Sequence, residues 1–297
     1  MKFDQIVFAG GGNRCWWQAG FWHRLNEAFP QDPERIASIS AGAATACLLY
    51  ARPGRAGAQW GLDYYAKSLA DVKKNARWEN LFSGEPVFPH HQLYKNALIN
   101  ILADGFDNLQ QAPKIQIGLA QIPSWMGPRS AVAIGLLAYN VEKHIRKSLH
   151  PTFGRSLGFK RVFVAAQDCP NLAALVELIL QSSCTPPFTP VMYRNGMTVL
   201  DGGLVDNVPI DGLEPAQPGD APKEILVLLT RRYKQPNHLV RELPGLRLHY
   251  VQPATPVPIS SWDYTHQELM PVTYQQGWND AEKYLLAGMF NSEGFSI

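Results

Sequence analysis

The chain has 297 residues, 46% of them apolar and 18% charged, which at about 150 residues per domain suits one or two globular domains and excludes a disordered, collagen-like or coiled-coil chain. Its 27 Lys+Arg against 25 Asp+Glu leave a formal charge of +2 with no run of like charges, so a polybasic nucleic-acid binder is excluded as well. A chain of this size buries about three quarters of its unfolded surface, enough for a substantial core.

The first elements alternate strand and helix. Met1 to Gln5 lead into the apolar run Ile6–Ala9, which stops at glycines and lacks a signal-peptide cleavage pattern. Ile6–Ala9 is a predicted strand, followed by Gly10-Gly11-Gly12 and a helix from about Cys15 to Phe29. Ile36–Ile39 is a second strand and Ala41–Tyr50 a small-residue helix ended by Pro53-Gly54. Strand, glycine turn and helix, used twice in about fifty residues, predict a parallel α/β sheet.

From Arg52 to Phe159 the pattern changes. Helical spacing at Leu93, Ala97, Leu98, Ile101 and Leu102 is interrupted by Pro86, Pro89, Pro113, Pro123 and Pro128, which predicts a helical insertion over one edge or mouth of the sheet. The longest apolar stretch, Ala131–Tyr139, has nine residues, about half of what a membrane-spanning helix needs. Strands are then predicted at Arg161–Ala166, Thr198–Leu200, Glu224–Leu229 and Leu248–Val251. A helix is predicted at Leu172–Ser182 behind an Asn171 cap, and a last one at Tyr274–Met289. The four cysteines, Cys15, Cys47, Cys169 and Cys184, lie far apart without zinc-type spacing, as in a reduced, cytoplasmic protein, although one disulfide also fits. A soluble single domain over residues 1–297 is the expectation.

Three stretches carry chemistry. In Gly10-Gly11-Gly12-Asn13-Arg14 the glycines uncover backbone N–H groups before a helix start, so the loop suits a phosphate or a developing oxyanion; it also fits a plain βα turn. Ser38-Ile39-Ser40-Ala41-Gly42 has the strand-to-helix setting of a nucleophile elbow, with Ser38 where the usual motif has glycine; Ser40 also fits a helix N-cap. Asp201-Gly202-Gly203 follows a strand, which puts a carboxylate on the sheet edge where open α/β sheets hold their sites, or closes a hairpin with an Asx turn.

In this order the glycine loop, the serine elbow and Asp-Gly-Gly resemble the patatin-like phospholipase family of lipid acyl hydrolases. Ser182-Ser183-Cys184-Thr185-Pro186-Pro187-Phe188 is similar to its small-residue and proline segment, and Asp201 to Pro209 to its Asp-Gly-Gly block with a trailing Asn-x-Pro. The match covers roughly residues 5–50 and 160–210. Cys15 and Ser38 stand where the family normally has glycine, and Ala9 where an aspartate often precedes the loop. The resemblance implies a three-layer α/β/α fold with a mainly parallel sheet. It implies Ser40 as nucleophile and Asp201 as base in a Ser–Asp dyad. It further implies an oxyanion hole from Gly10, Gly11, Gly12, the Arg14 region and Ala41, with Ser38, Gly42, Gly202 and Gly203 as motif positions. A lipid or acyl-ester substrate with peripheral membrane contact follows, without cofactor, metal or nucleic acid.

Other readings stay open. A nucleotide-binding α/β protein would use the same glycine loop, and an inactive scaffold would keep the same fold. A Ser–His–Asp triad could draw on His238, His249 or His266, which follow Asp201 in chain order; His23 fits a helix face. His90-His91 would point apart in an extended segment and form no metal site. Trp78, Trp125-Met126-Gly127-Pro128 and Ala131–Tyr139 suit either the core of the insertion, which is favoured, or a lid and acyl groove.

Overall fold

A computed structural model describes residues 1–123, 127, 130, 133, 149–150 and 158–289. Its nine strands among these residues are β1 (Gln5–Phe8), β2 (Arg35–Ile39), β3 (Lys114–Gln121), β4 (Lys160–Ala165), β5 (Met192–Arg194), β6 (Met197–Asp201), β7 (Lys223–Leu228), β8 (His238–Leu243) and β9 (Leu246–Val251). The α-helices among the described residues are α1 (Trp16–Ala28), α2 (Ala41–Ala51), α3 (Arg55–Ser68), α4 (His90–Leu102), α5 (Phe106–Gln110), α6 (Leu172–Ser182) and α7 (Leu269–Leu286). The helix predicted at Tyr274–Met289 therefore starts earlier, with Pro271 in its first turn, where a missing N–H breaks no hydrogen bond.

One sheet holds all nine strands. Its centre, β3-β2-β1-β7-β9, is parallel, with Ile6 opposite both Ile36 and Leu226. β1 is buried along its whole length, as an unbroken apolar run must be when both faces of a parallel sheet are covered. Ile6 and Phe8 point into a large cluster with Trp17, Leu25, Leu48 and Leu62 from the helices. Val7 and Ala9 point the other way, into a smaller cluster with Val208, Ile225 and Tyr250. The sheet is mixed, mostly parallel and flanked by helices, in keeping with the expected class. β4, β5, β6 and β8 pair antiparallel.

The segment 52–159 contributes more than a helical insertion. It supplies α3, α4 and α5, and also β3, a strand of the sheet with partners on both edges. The alternation Ile115, Ile117, Leu119 is short, follows Pro113 and is diluted by Gly118, which hid it among the helical spacings before it. Most of the apolar run 131–139, together with Trp125, Met126 and Pro128, lies outside the described residues. Trp78 is 63% exposed, so it is not part of a core.

The edges of β3 decide where the site lies. Gln116 to Gly118 pair with β4 on one edge and with β2 on the other. Leu119 to Gln121 pair with β4 and β6 in the same way. β2 and β6 therefore share one edge of β3 and meet end to end, with Ile39 opposite Gly118 and Asp201 opposite Leu119.

Candidate functional site

Ser40 follows β2 and precedes α2. Its φ of 52° and ψ of −135° put a non-glycine residue in left-handed territory, a strain of about 1–3 kcal/mol that only a rigid surround sustains. The surround is specific. The Ser40 N–H donates to Ser182 Oγ at 2.8 Å, and that hydroxyl donates to Gly118 O at 2.7 Å, so α6 and β3 jointly hold the turn. A Cβ on Gly42 would lie 2.6 Å from the carbonyls of Phe8 and Ala9, which is why the start of α2 can press against the end of β1. Ser38 is fully buried and donates to Gln116 O at 3.1 Å, so the motif's departure from glycine is absorbed by a bond to the neighbouring strand.

The glycine loop is fastened from two sides. The Gly10 N–H donates to Asn207 O, and its carbonyl accepts from Asn207 Nδ2 at 2.9 Å and from Thr230 Oγ1 at 2.7 Å. Gly10 is thus an anchor, with its donor already committed. The N–H groups of Gly11, Gly12 and Ala41 make no hydrogen bond among the described residues. Gly12, at φ 57°, faces Ser261 O so closely that an added Cβ would lie 2.1 Å from it. Arg14 folds back, its Nε donating to Gly11 O at 3.3 Å.

Asp201 ends β6 and caps a short 3₁₀ turn, where Gly203 N donates to its Oδ1 at 2.7 Å. The two motifs touch: a Cβ on Gly202 would fall 2.3 Å from Ile39 Cδ1, and one on Gly10 would fall 3.4 Å from Ser40 Cβ. Asp201 reaches the elbow from an antiparallel strand running toward β2, not from a parallel neighbour as the strand-end argument supposes. Cys15 is buried beside them; burial drives its thiol pKa far up, Arg14 opposes this and Asp201 adds to it.

A pocket of about 860 Å³, its open mouth included, starts at Ser40 and Gly12 and runs between α2 and α4. Ala44, Thr45 and Leu48 line one wall, and Ala97, Leu98 and Ile101 the other. Arg52 Nε donates to Ile101 O at 2.8 Å and ties the far ends of the two helices together. From Ala41 to Leu48 the wall is about 10 Å long at 1.5 Å per residue. His90 and His91, which the sequence suggested only as a rejected metal pair, both line the pocket, with Tyr94 one turn further along α4. Among the described residues no group of three His, Cys, Asp or Glu could hold a metal ion.

The three histidines considered for a triad bond elsewhere. His238 Nε2 meets His249 Nδ1 at 3.1 Å, His249 Nε2 meets Glu224 at 2.7 Å, and the exposed His266 meets Asp263 at 2.7 Å. His23 lies on α1 with Nδ1 2.9 Å from the Tyr274 hydroxyl. All four cysteines are free thiols and buried. Thr230 and the segment 261–263, which brace the glycine loop, come from the last third of the chain, where no motif announces them. Asn13 joins that segment through N–H to Ser261 O and Nδ2 to Asp263 O.

A family model for patatin-like phospholipase matches residues 6–213. No curated protein sequence matches the chain. VipD from Legionella pneumophila is similar in structure at a TM-score of 0.47 and 10% identity, over 96% of this chain and 67% of that one. A chain of the heterodimeric ExoU–SpcU complex from the type III secretion system of Pseudomonas aeruginosa gives a TM-score of 0.41 at 14% identity, over 96% of this chain and 52% of that one. The family model takes in β1 through β6, the glycine loop, the serine elbow and Asp201-Gly202-Gly203, and the chain belongs to the patatin-like phospholipase family.

Proposed function

We propose that the protein hydrolyses carboxylic esters of lipids with Ser40 as nucleophile and Asp201 as its base. The observation that supports this reading is the end-to-end meeting of β2 and β6 on β3: the strand that leads into the strained Ser40 ends beside the strand that ends at Asp201, and Ser40 lines an apolar pocket.

The Ser40 hydroxyl gives its proton to Asp201 while Oγ bonds to the ester carbonyl carbon. The carbonyl oxygen becomes an oxyanion, which the uncommitted N–H groups of Gly11, Gly12 and Ala41 receive, helped by the positive end of α2. As the intermediate collapses, the C–O bond to the alcohol breaks and the departing oxygen takes the proton back from Asp201. Water then repeats the sequence on the acyl-enzyme, Asp201 again serving as base, and releases the acid. A carboxylate is a weak base for a hydroxyl in water, so the dyad depends on partial desolvation and on oxyanion donors fixed in advance. The wall between α2 and α4 takes the acyl chain. The substrate is met by peripheral contact with a lipid surface; no helix among the described residues is long and apolar enough to cross a membrane.

The test is a panel of p-nitrophenyl esters of increasing chain length together with covalent labelling by a fluorophosphonate. Turnover and labelling should both vanish in Ser40→Ala. Ser40→Ala activity within about threefold of the unmodified protein would overturn the assignment.

A further inference from the structure

The apolar pocket that Ser40 lines also has buried polar side chains in its lining, His90, Tyr94 and Ser183 among them. His90 is 1% exposed and lies among the rings of Phe88, Phe188, Trp262 and Tyr264. Its Nε2 lies 3.1 Å from Trp262 O. A carbonyl oxygen only accepts, so Nε2 carries the hydrogen, and in the neutral ring Nδ1 is then the acceptor. Burial favours that neutral form, lowering the His90 pKa against the opposing pull of Trp262 O and Asp263. Nδ1 has no hydrogen-bond partner among the described residues. Nearby, the Tyr94 hydroxyl neighbours Ser183 Oγ, and neither atom has a partner at hydrogen-bond distance among those residues.

An unpartnered acceptor in such a place favours a ligand that supplies a donor and penalises one that does not. A plain acyl chain offers none. We infer that His90 Nδ1 accepts a hydrogen bond from a hydroxyl carried by the substrate close to its ester group, which makes His90 a specificity-determining residue for hydroxylated esters. The hydroxyl could sit on the alcohol side, as in a partial ester of a polyol, or on the acyl side, as in a β-hydroxy acid. The inference rests on Ser40 hydrolysing esters in this pocket.

The experiment measures kcat/KM on matched esters: monooctanoylglycerol against propyl octanoate for the alcohol side, and propyl β-hydroxyoctanoate against propyl octanoate for the acyl side. At least one hydroxylated ester should be preferred by about tenfold or more, and the arm showing the preference identifies the side. In His90→Phe, which keeps an aromatic ring and removes the acceptor, that ratio should fall toward one. His90→Asn, whose Oδ1 can stand where Nδ1 stood, should restore part of it. Equal rates in both arms for the unmodified protein, or a preference that survives in His90→Phe, would overturn the inference. The unmodified protein supplies the first of these results even if a variant fails to fold. Failure of the underlying reading is distinct, since no ester would then be hydrolysed through Ser40 and no fluorophosphonate label would attach there.

Discussion

Replacing Ser40 by glycine should remove the nucleophile and at the same time make the protein more stable. At φ 52° and ψ −135° a residue with a Cβ carries about 1–3 kcal/mol of backbone strain. Glycine relieves it, but its freer unfolded chain returns roughly 0.5–1 kcal/mol. The Ser40 hydroxyl does not cap α2, so no capping bond is lost with it. The net gain is about 1 kcal/mol, or a Tm rise of roughly 2–4 °C for a chain of this size. Thermal melts of Ser40→Gly and Ser40→Ala, run side by side, make the comparison, since alanine keeps the Cβ and hence the strain. Both variants should be inactive, with only the glycine variant melting above the unmodified protein. A glycine variant that melts no higher than the alanine variant would refute the idea that the fold holds the elbow under strain.

Asp201→Asn should abolish both turnover and fluorophosphonate labelling, whereas His238→Gln, His249→Gln and His266→Gln should each label within a few-fold of the unmodified protein; loss in any one of them would point to a histidine base. Ser182→Ala should lower stability by about 1–3 kcal/mol and slow labelling of Ser40, because it leaves a buried N–H and the Gly118 carbonyl unpaired; denaturant unfolding measures the first effect and labelling rate the second. Burial, with a smaller push from Arg55, lowers the His23 pKa to about 4 from an ordinary 6.5. The unfolded chain therefore binds that proton first, and the stability tied to His23, up to about 3 kcal/mol, is present above pH 6.5 and lost as pH falls toward 4. His23→Gln should flatten the slope of stability against pH in that window, and an unchanged slope would show that other groups carry it.

The sequence is most legible where local chemistry leaves few choices. A four-residue apolar run ending in three glycines reads as a strand entering a tight turn, and β1 with the loop after it is that. Asn171 caps α6 as expected, its side chain accepting from Ala174 N. β2 and β6 end beside each other by a route that periodicity does not show, since their meeting depends on which edge of β3 each strand takes. β3 itself went unseen because its apolar positions are few and follow a long helical stretch. The pocket was equally hidden. Its walls are the small residues of α2 and the spaced leucines and isoleucine of α4, which as a one-dimensional pattern look like ordinary core. The signal for His90 would have been a histidine at the first turn of a helix whose inner face is otherwise apolar. Thr230 and Ser261 reach the glycine loop through tertiary contacts alone.

The sharing of one β3 edge by β2 and β6 also sets the order in which the proposed site can assemble. During synthesis the elbow serine emerges first, β3 some eighty residues later, and Asp201 about as many again after that. Until β6 docks against Leu119 to Gln121, the proposed base is not held at the end of β2 and Gly10 lacks Asn207. The loop's remaining braces, Thr230 and Ser261, come later still. On the proposed function, hydrolytic competence therefore arrives with completion of the sheet, and a chain cut before β6 should neither turn over an ester nor take a fluorophosphonate label at Ser40.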